Sequence, residues 1–388
     1  METPSSKFIR NRPGSRPRTF PRPDISDKPP GSEIPGASRY QTGSRSPKFS
    51  GSGSSLAVSE PEWRPFGSDD TVVKITDPEL PYRQREGVEK FSTKWGQRKL
   101  AMALIQFLTY HWDKKKVPNP KLVYVGAASG NNIEFVMKNM FPDFECHLYD
   151  PREIEVEPTD KMILYKQLFL EEDARRWSGR DDVFLVVDLR SMKKTNYEGY
   201  VPESVISEDM ILQQKFYEII KPVKAQLKFR LPYYVPGKSP RYIEYLYGLV
   251  YYQVWPGQTS TECRLVPMET PDGITKIHWD SRKHEQQLFY HNTVVREKIK
   301  FYNPFYVEGD PKSMTPVDDL ELTNEYDSVA EAFLLRDYLI KMGGDGFGTE
   351  ENVIALSRAL TKFLTRGKSG NSGINSYRIA GRKRSLKS

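Results

Sequence analysis

From Trp95 to about Lys115, Leu100, Leu104, Phe107, Leu108 and His111 recur on one face, so the spacing predicts an amphipathic helix. The run KLVYVG (121–126) is short and continuously apolar, the pattern of a strand covered on both faces. From Asn131 to Phe141, Ile133, Val136, Met137, Met140 and Phe141 fall at i, i+3, i+4, i+7 and i+8, which predicts a second helix. FECHLYD (144–150) reads as the next strand, LEEDARRW (170–177) as a short helix and VFLVVD (183–188) as a third strand. ISEDMILQQKFYEII (206–220) predicts a helix with Ser207 as its N-cap, and AQLKFRL (225–231) a fourth strand. The stretch from about Tyr242 to Pro267 is strand-rich and suits antiparallel edge strands. Tyr326–Met342 and Glu350–Thr365 predict two closing helices. Strands alternating with helices imply an α/β fold, a mainly parallel sheet with helices on both faces.

The chain ends break this pattern. Residues 1–66 are rich in Ser, Pro, Gly and Arg with almost no apolar clusters, and cannot bury enough surface to offset chain entropy. They are expected to be a disordered arm before a folded domain at 67–365. From Arg366 onward come six further Lys or Arg and no carboxylate, a basic flexible tail at 366–388 able to tether RNA electrostatically. The formal net charge of +7 favours polyanionic partners. Cys146 and Cys263 lie in apolar runs and read as buried thiols of a reducing compartment. No secretory signal is visible, and Tyr245–Trp255 is too short to span a bilayer, so no membrane role and a cytoplasmic location are expected. The five histidines show no metal-ligand spacing, so no metal is expected.

Four ionisable residues sit beside or inside runs that should be buried. Lys99 begins KLAMALIQFL, Asp188 ends FLVVD, Lys228 interrupts AQLKFRL and Glu262 opens TECRLVP. Charges beside a core are costly unless paired, and two lysines with two carboxylates pair naturally in one cleft. LVYVGAASGNN (122–132) joins a strand to a helix, with Gly126 and Gly130 where backbone must approach a ligand closely. The glycine spacing is wrong for a dinucleotide turn. Asp150 ends the second strand, where a carboxylate can accept both hydroxyls of an adenosine ribose, and Arg152 follows. A ligand with ribose, adenine and an amino-acid moiety fits these groups, which points to S-adenosyl-L-methionine. GGDGFG (343–348) has the glycines of a phosphate loop but follows a helix, and reads as a turn.

GQRKL, LVYVGAASG, LYDPR, VVDLRS, KPVKAQLKFRLP, STECRL and HEQQLFYHNTVVR occur in an order and spacing that resemble the poxvirus cap-specific mRNA 2′-O-methyltransferases, which also serve as stimulatory subunits of the viral poly(A) polymerase. The resemblance covers about residues 80–388. It implies a Rossmann-like methyltransferase fold and methylation of the ribose 2′-hydroxyl of the first transcribed nucleotide of capped mRNA. It assigns Lys99, Asp188, Lys228 and Glu262 to catalysis, with the Lys228 amine as base. It implies that Gln97, Tyr124, Gly126, Gly130, Asp150, Arg152, Leu170, Asp188 and Arg190 line the cofactor site, Leu170 beside the adenine. It gives the cap guanine to Tyr82, Tyr233 and Glu285. A methylated guanine is cationic and stacks between electron-rich rings, while a carboxylate accepts from its edge.

Two departures stand out. Ser129 replaces a proline of the poxvirus loop, and Val235 replaces an acid that follows the cap-site aromatic. Lys193, Lys194 and Arg230 flank the expected cleft and are candidate donors to the transcript backbone. The implied partners are capped mRNA and a poly(A) polymerase catalytic subunit. An RNA-binding stimulatory subunit with an inactive methyltransferase fold is the alternative. A methyltransferase for DNA or small metabolites fits the cofactor residues but leaves Lys99, Lys228 and the basic tail unexplained.

Overall fold

Strands β1 (Lys121–Val125), β2 (Glu145–Tyr149), β3 (Met162–Tyr165) and β4 (Val183–Val187) are short apolar runs that pair in parallel. With β5 (Lys224–Phe229), β6 (Gly248–Tyr251) and β7 (Cys263–Pro267) they form one seven-stranded sheet of order β3-β2-β1-β4-β5-β7-β6. The computed structural model describes residues 62–83, 93–191, 201–308 and 323–366, with backbone alone at 93–95. β7 runs antiparallel to both of its neighbours, β5 and β6. That reversal matters for the site, because the start of β7 meets the end of β5 at one edge of the sheet. Gly126, Asp150 and Asp188 follow β1, β2 and β4 at the same edge. The α/β fold implied by the sequence, with its mainly parallel sheet, is the one observed.

The helices are α1 (Thr93–His111), α2 (Asn131–Asn139), α3 (Glu171–Trp177), α4 (Glu203–Ile220), α5 (Ser281–Tyr290), α6 (Tyr326–Gly343) and α7 (Glu350–Leu364). α1 packs on α2 and α6, and α7 packs on α6 and α2. The predicted helix at 95–115 ends earlier, at His111; Trp112 folds back so that its Nε1 donates to the Val117 carbonyl, and its ring packs edge-on to Phe144. Ser207 is not an N-cap. The buried face of α4 already includes Val205 and Ile206, the helix starts after Pro202, and the Ser207 hydroxyl donates to the Glu203 carbonyl inside the first turns.

Two further boundaries differ from expectation. Trp63–Arg64 forms a strand parallel to Lys300–Phe301, with Trp63 stacked on Tyr302 and Phe66 packed against Phe301, Tyr326 and Phe333. Folded structure therefore reaches ahead of residue 67, because these aromatic rings bury against the C-terminal half. The region 242–267 divides: Tyr242–Leu246 leaves the main sheet and pairs with Lys276–Asp280, while β6 and β7 stay in it. Gly343–Gly348 is a turn, as read: Gly344 ends α6 at φ +94° and a single 3₁₀ turn follows. Both cysteines are free and buried, and burial pushes both thiols well above their ordinary range.

Candidate active site

The ladder sets Lys228 of β5 directly opposite Arg264 of β7, so both side chains leave the same face of the sheet. Two cations so placed repel. Carboxylates from outside the ladder resolve the conflict. Lys228 Nζ lies 3.0 Å from Asp188 Oδ1 and 3.4 Å from Glu262 Oε2. Arg264 Nη2 lies 2.9 Å from the same Asp188 oxygen and 3.4 Å from Glu262 Oε1. Lys99, from α1, donates to Glu262 Oε1 at 2.9 Å. The four residues singled out in the sequence thus converge, and Arg264 makes a fifth. Arg264 interrupts the apolar run CRLVP just as Lys228 interrupts AQLKFRL, so the signal for it was present and unused.

Three cations face two carboxylates in this cluster. Burial alone would raise the Asp188 carboxyl, but the Arg264 and Lys228 charges outweigh it and hold the group below its ordinary value. Glu262 is held well below its own, against burial, by Lys228, Lys99 and Arg264. Burial disfavours the charged Arg264 guanidinium, yet Asp188 and Glu262 more than restore it. Arg264 Nη1 and Nη2 and Asp188 Oδ1 are buried without an aligned hydrogen bond, so their close approaches are charge contacts and bonding capacity remains unfilled. Around the cluster, Gln253 Nε2 donates to the Glu262 carbonyl at 2.7 Å and to its Oε1 at 3.1 Å. Gln213 Nε2 of α4 donates to the Lys228 carbonyl at 2.7 Å. Arg190 Nη1 donates to Asp209 at 3.1 Å, and its Nη2 lies 4.0 Å from Glu262 Oε2.

The glycines of the β1–α2 loop serve the protein's own packing first. A Cβ on Gly126, at φ +87°, would stand 2.7 Å from the Asp188 backbone, and one on Gly130, at φ +94°, would stand 2.5 Å from Val156 Cγ2. Gly126 therefore lets β1 end against the residue that carries Asp188. The Ala128–Ser129 peptide in this loop is cis. Asp150 Oδ2 accepts from the Ala128 N–H at 3.0 Å and from Arg152 Nη2 at 2.8 Å. Its Oδ1 accepts from the Arg152 backbone N–H and Nε at 2.9 and 3.0 Å. A carboxylate has about four lone-pair sites, so Arg152, whose side chain is largely exposed, must release its bonds before Asp150 can accept a diol. Gln97 Oε1 accepts from the Asn132 N–H at 3.2 Å, at the start of α2. Tyr124 is buried beside Asp188 and Arg264, and burial pushes its hydroxyl well above the ordinary range. Leu170 is the N-cap residue of α3 and is 53% exposed.

The proposed cap residues come from three separate places. Tyr82 is exposed and meets Phe289 of α5 edge-on at 5.3 Å. Glu285 lies one turn before Phe289 on the same helix face. Tyr233 follows β5; its N–H donates to Glu203 at 2.9 Å, and the Arg230 guanidinium sits 4.4 Å from its ring centroid. One face of Tyr233 is therefore already covered. Arg230 is also bound to both Glu203 oxygens, at 2.8 and 3.1 Å. Burial, and then repulsion from Glu203, push the Glu285 carboxyl up, with Arg230 opposing. Lys193 and Lys194 lie outside the described residues. A cavity of about 800 Å³ between the end of α1 and the first residues of β5, lined by Lys114–Lys116, Lys224 and Lys341, shares no residue with this site.

Residues 73–366 match the family model described as "Poly A polymerase regulatory subunit". The cap-specific mRNA (nucleoside-2′-O-)-methyltransferase of Fowlpox virus is 24% identical over 319 residues, 75% of this chain and 95% of the relative. That of Myxoma virus is 26% identical over 242 residues, 58% of this chain and 68% of the relative. Among solved structures, human methyltransferase-like protein 13 in complex with SAH matches at 15% identity and a TM-score of 0.28, over 54% of this chain and 97% of that one.

Proposed function

This chain belongs to the poly(A) polymerase regulatory subunit family, and on that premise we propose that it methylates the ribose 2′-hydroxyl of the first transcribed nucleotide of capped mRNA. The observation that carries the reading is the convergence of Lys228 with Asp188, Glu262 and Lys99 at the carboxyl edge of a parallel sheet, where α/β folds place their ligands. S-adenosyl-L-methionine, when bound, supplies an electrophilic methyl group. The residues present fit it. Asp150 ends β2 within reach of a ribose diol once Arg152 turns outward, and Leu170 offers an exposed apolar side chain to an adenine. Asn132, whose side chain faces the Tyr124 hydroxyl and whose N–H donates to Gln97, ties two of the expected cofactor-lining residues together at the start of α2.

Lys228 accepts the proton of the 2′-hydroxyl, and Asp188 and Glu262 orient its amine. Lys99 and Arg264 satisfy those two carboxylates from the other side, so the pair is not left to hold the Lys228 proton alone. The acceptor oxygen becomes a competent nucleophile only while its proton has a place to go. Glu285 and the open face of Tyr233 recognise the cationic guanine, with Tyr82 as the second ring. Capped mRNA and a polymerase catalytic subunit are the proposed partners, and the charge of the tail at 366–388 tethers RNA. The free cysteines favour action in the cytoplasm. A purely RNA-binding subunit is the second reading, supported by the family's description.

The test uses labelled S-adenosyl-L-methionine with capped and uncapped RNA, followed by digestion to nucleosides. The expected product is a 2′-O-methylated first nucleotide on capped RNA alone. Label on a base, or equal label on uncapped RNA, rejects the proposal; absence of label with retained RNA binding selects the second reading.

A further inference from the structure

Glu331, on α6, is fully buried and makes no contact with Lys228, yet it closes a ring through two other members of the reaction centre. Its Oε2 accepts from Arg98 Nε at 2.7 Å and from Trp255 Nε1 at 2.7 Å. Its Oε1 accepts from Ser357 Oγ of α7 at 2.6 Å and also from Arg98 Nη2. Arg98 is held again by α7, donating to Ser357 Oγ at 2.8 Å and to Thr361 Oγ1 at 2.9 Å. Arg98 is the residue before Lys99. Trp255 lies two residues after Gln253, whose amide donates to both the carbonyl and the carboxylate of Glu262. Lys99 then donates to Glu262 and the circuit is complete.

A buried ion pair is weak evidence for stability, because desolvation can exceed its Coulombic gain. This one also holds a backbone in an unusual state. Trp255 has φ +62°, which is uncommon for a bulky residue and persists where the surroundings over-determine it. The same residue's N–H donates to Asp327 Oδ1 of α6 at 2.8 Å. Asp327 is fixed in turn by Arg296, whose Nη2 also reaches the Pro256 carbonyl at 3.1 Å. The segment leading into Glu262 is thus tied to α6 at adjoining points.

We infer that Glu331 is a positioning residue: it sets Lys99 through Arg98, and Glu262 through Trp255 and Gln253, so that both reach the reaction centre from one buried carboxylate. The C-terminal helices are then part of the catalytic scaffold. This rests on the transfer reaction proposed above.

The experiment is Trp255→Phe in the full chain, which removes one donor to Glu331 and keeps most of the ring volume. Expected are a roughly tenfold lower kcat for methyl transfer to capped RNA, with KM for both substrates within about twofold. In the ligand-free protein, amide hydrogen exchange should rise across 253–263 and stay unchanged in β1 and β2. If this variant does not fold, Ser357→Ala approaches from the other side; it should lower kcat similarly and raise exchange around Lys99. A folded variant with wild-type kcat, or with faster exchange that stops short of Glu262 or Lys99, overturns the inference. Should the wild-type protein transfer no methyl group, the proposed function has failed, and the exchange measurement alone still decides for or against the ring.

Discussion

The proposed reaction centre and the proposed cap pocket hold their carboxylates in opposite states. Asp188 and Glu262 are held below their ordinary values by three cations supplied from α1, β5 and β7. Glu285 is pushed above its ordinary value by burial and by the neighbouring Glu203, with Arg230 opposing. One region is complete in charge before any ligand arrives, and even carries a surplus cation. The other is short of positive charge. The surplus lies where the methyl acceptor is proposed to react. The shortage would suit the cationic guanine proposed for the second region.

The sharpest way to break this comparison is at its most charged residue. Lys228→Arg keeps a cation between Asp188 and Glu262 but removes a base that can deprotonate. Transfer should fall by about 10²–10⁴-fold, the usual contribution of a general base. S-adenosyl-L-methionine binding, followed by calorimetry, should stay near wild type. If residual transfer keeps the wild-type ascending limb of its pH profile, Lys228 is not the base and the surplus cation has another purpose.

Arg264→Gln tests whether the surplus is real. It removes a buried cation that both carboxylates share but leaves Lys99 and Lys228 facing them, so unfolding free energy by denaturant titration should fall by about 1–3 kcal/mol. It also leaves Asp188 and Glu262 freer to hold the Lys228 ammonium, so the ascending limb of transfer should move to higher pH. Lysine at this position should restore the limb more than the stability. A destabilised variant with an unmoved limb would make Arg264 a structural ion-pair member only.

The difference between the two regions also explains what the sequence revealed. Lys99, Asp188, Lys228 and Glu262 were legible because each interrupts or bounds an apolar run on a regular element, and parallel strands deliver such ends to one edge. Arg264 obeyed the same rule. Its pairing with Lys228 follows only from the antiparallel register of β7, which no local pattern encodes. The Glu331 ring was invisible for a related reason: it joins residues up to 263 positions apart through side chains of α1, α6, α7 and one loop. In the proposed cap pocket, Tyr82, Tyr233 and Glu285 came from resemblance alone, because half-buried or exposed residues on loops and one helix face carry no periodic signal. Arg230, read as a donor to the transcript, has a partner there that the sequence did not suggest. The sequence shows its charge but not Glu203, which engages both its arms from the first turn of α4. Ser207 failed as a cap because the buried face of its helix begins before it.

The smallest expected effect concerns the pocket's shortage of charge. A methylated guanine needs the ionised form of Glu285. Since that carboxyl titrates above its ordinary value in the free protein, affinity for a methylated cap analogue should rise with pH through this raised value and level off above it. Asp188 and Glu262 behave inversely: their contribution to stability is present above the unfolded carboxylate range, near pH 4, and is lost only as pH falls through their depressed native values. On mild acidification, cap affinity should therefore decline before the fold does. Glu285→Ala should lower affinity for the methylated cap about tenfold, about 1.4 kcal/mol, and flatten its pH dependence, while binding of an uncapped oligonucleotide changes less than about twofold. Fluorescence titration of both ligands between pH 5 and 8 reads all three quantities. Equal weakening for the two ligands, or a pH dependence that survives the substitution, would show that Glu285 does not read the cap's charge and that the shortage belongs to the surface rather than to a pocket.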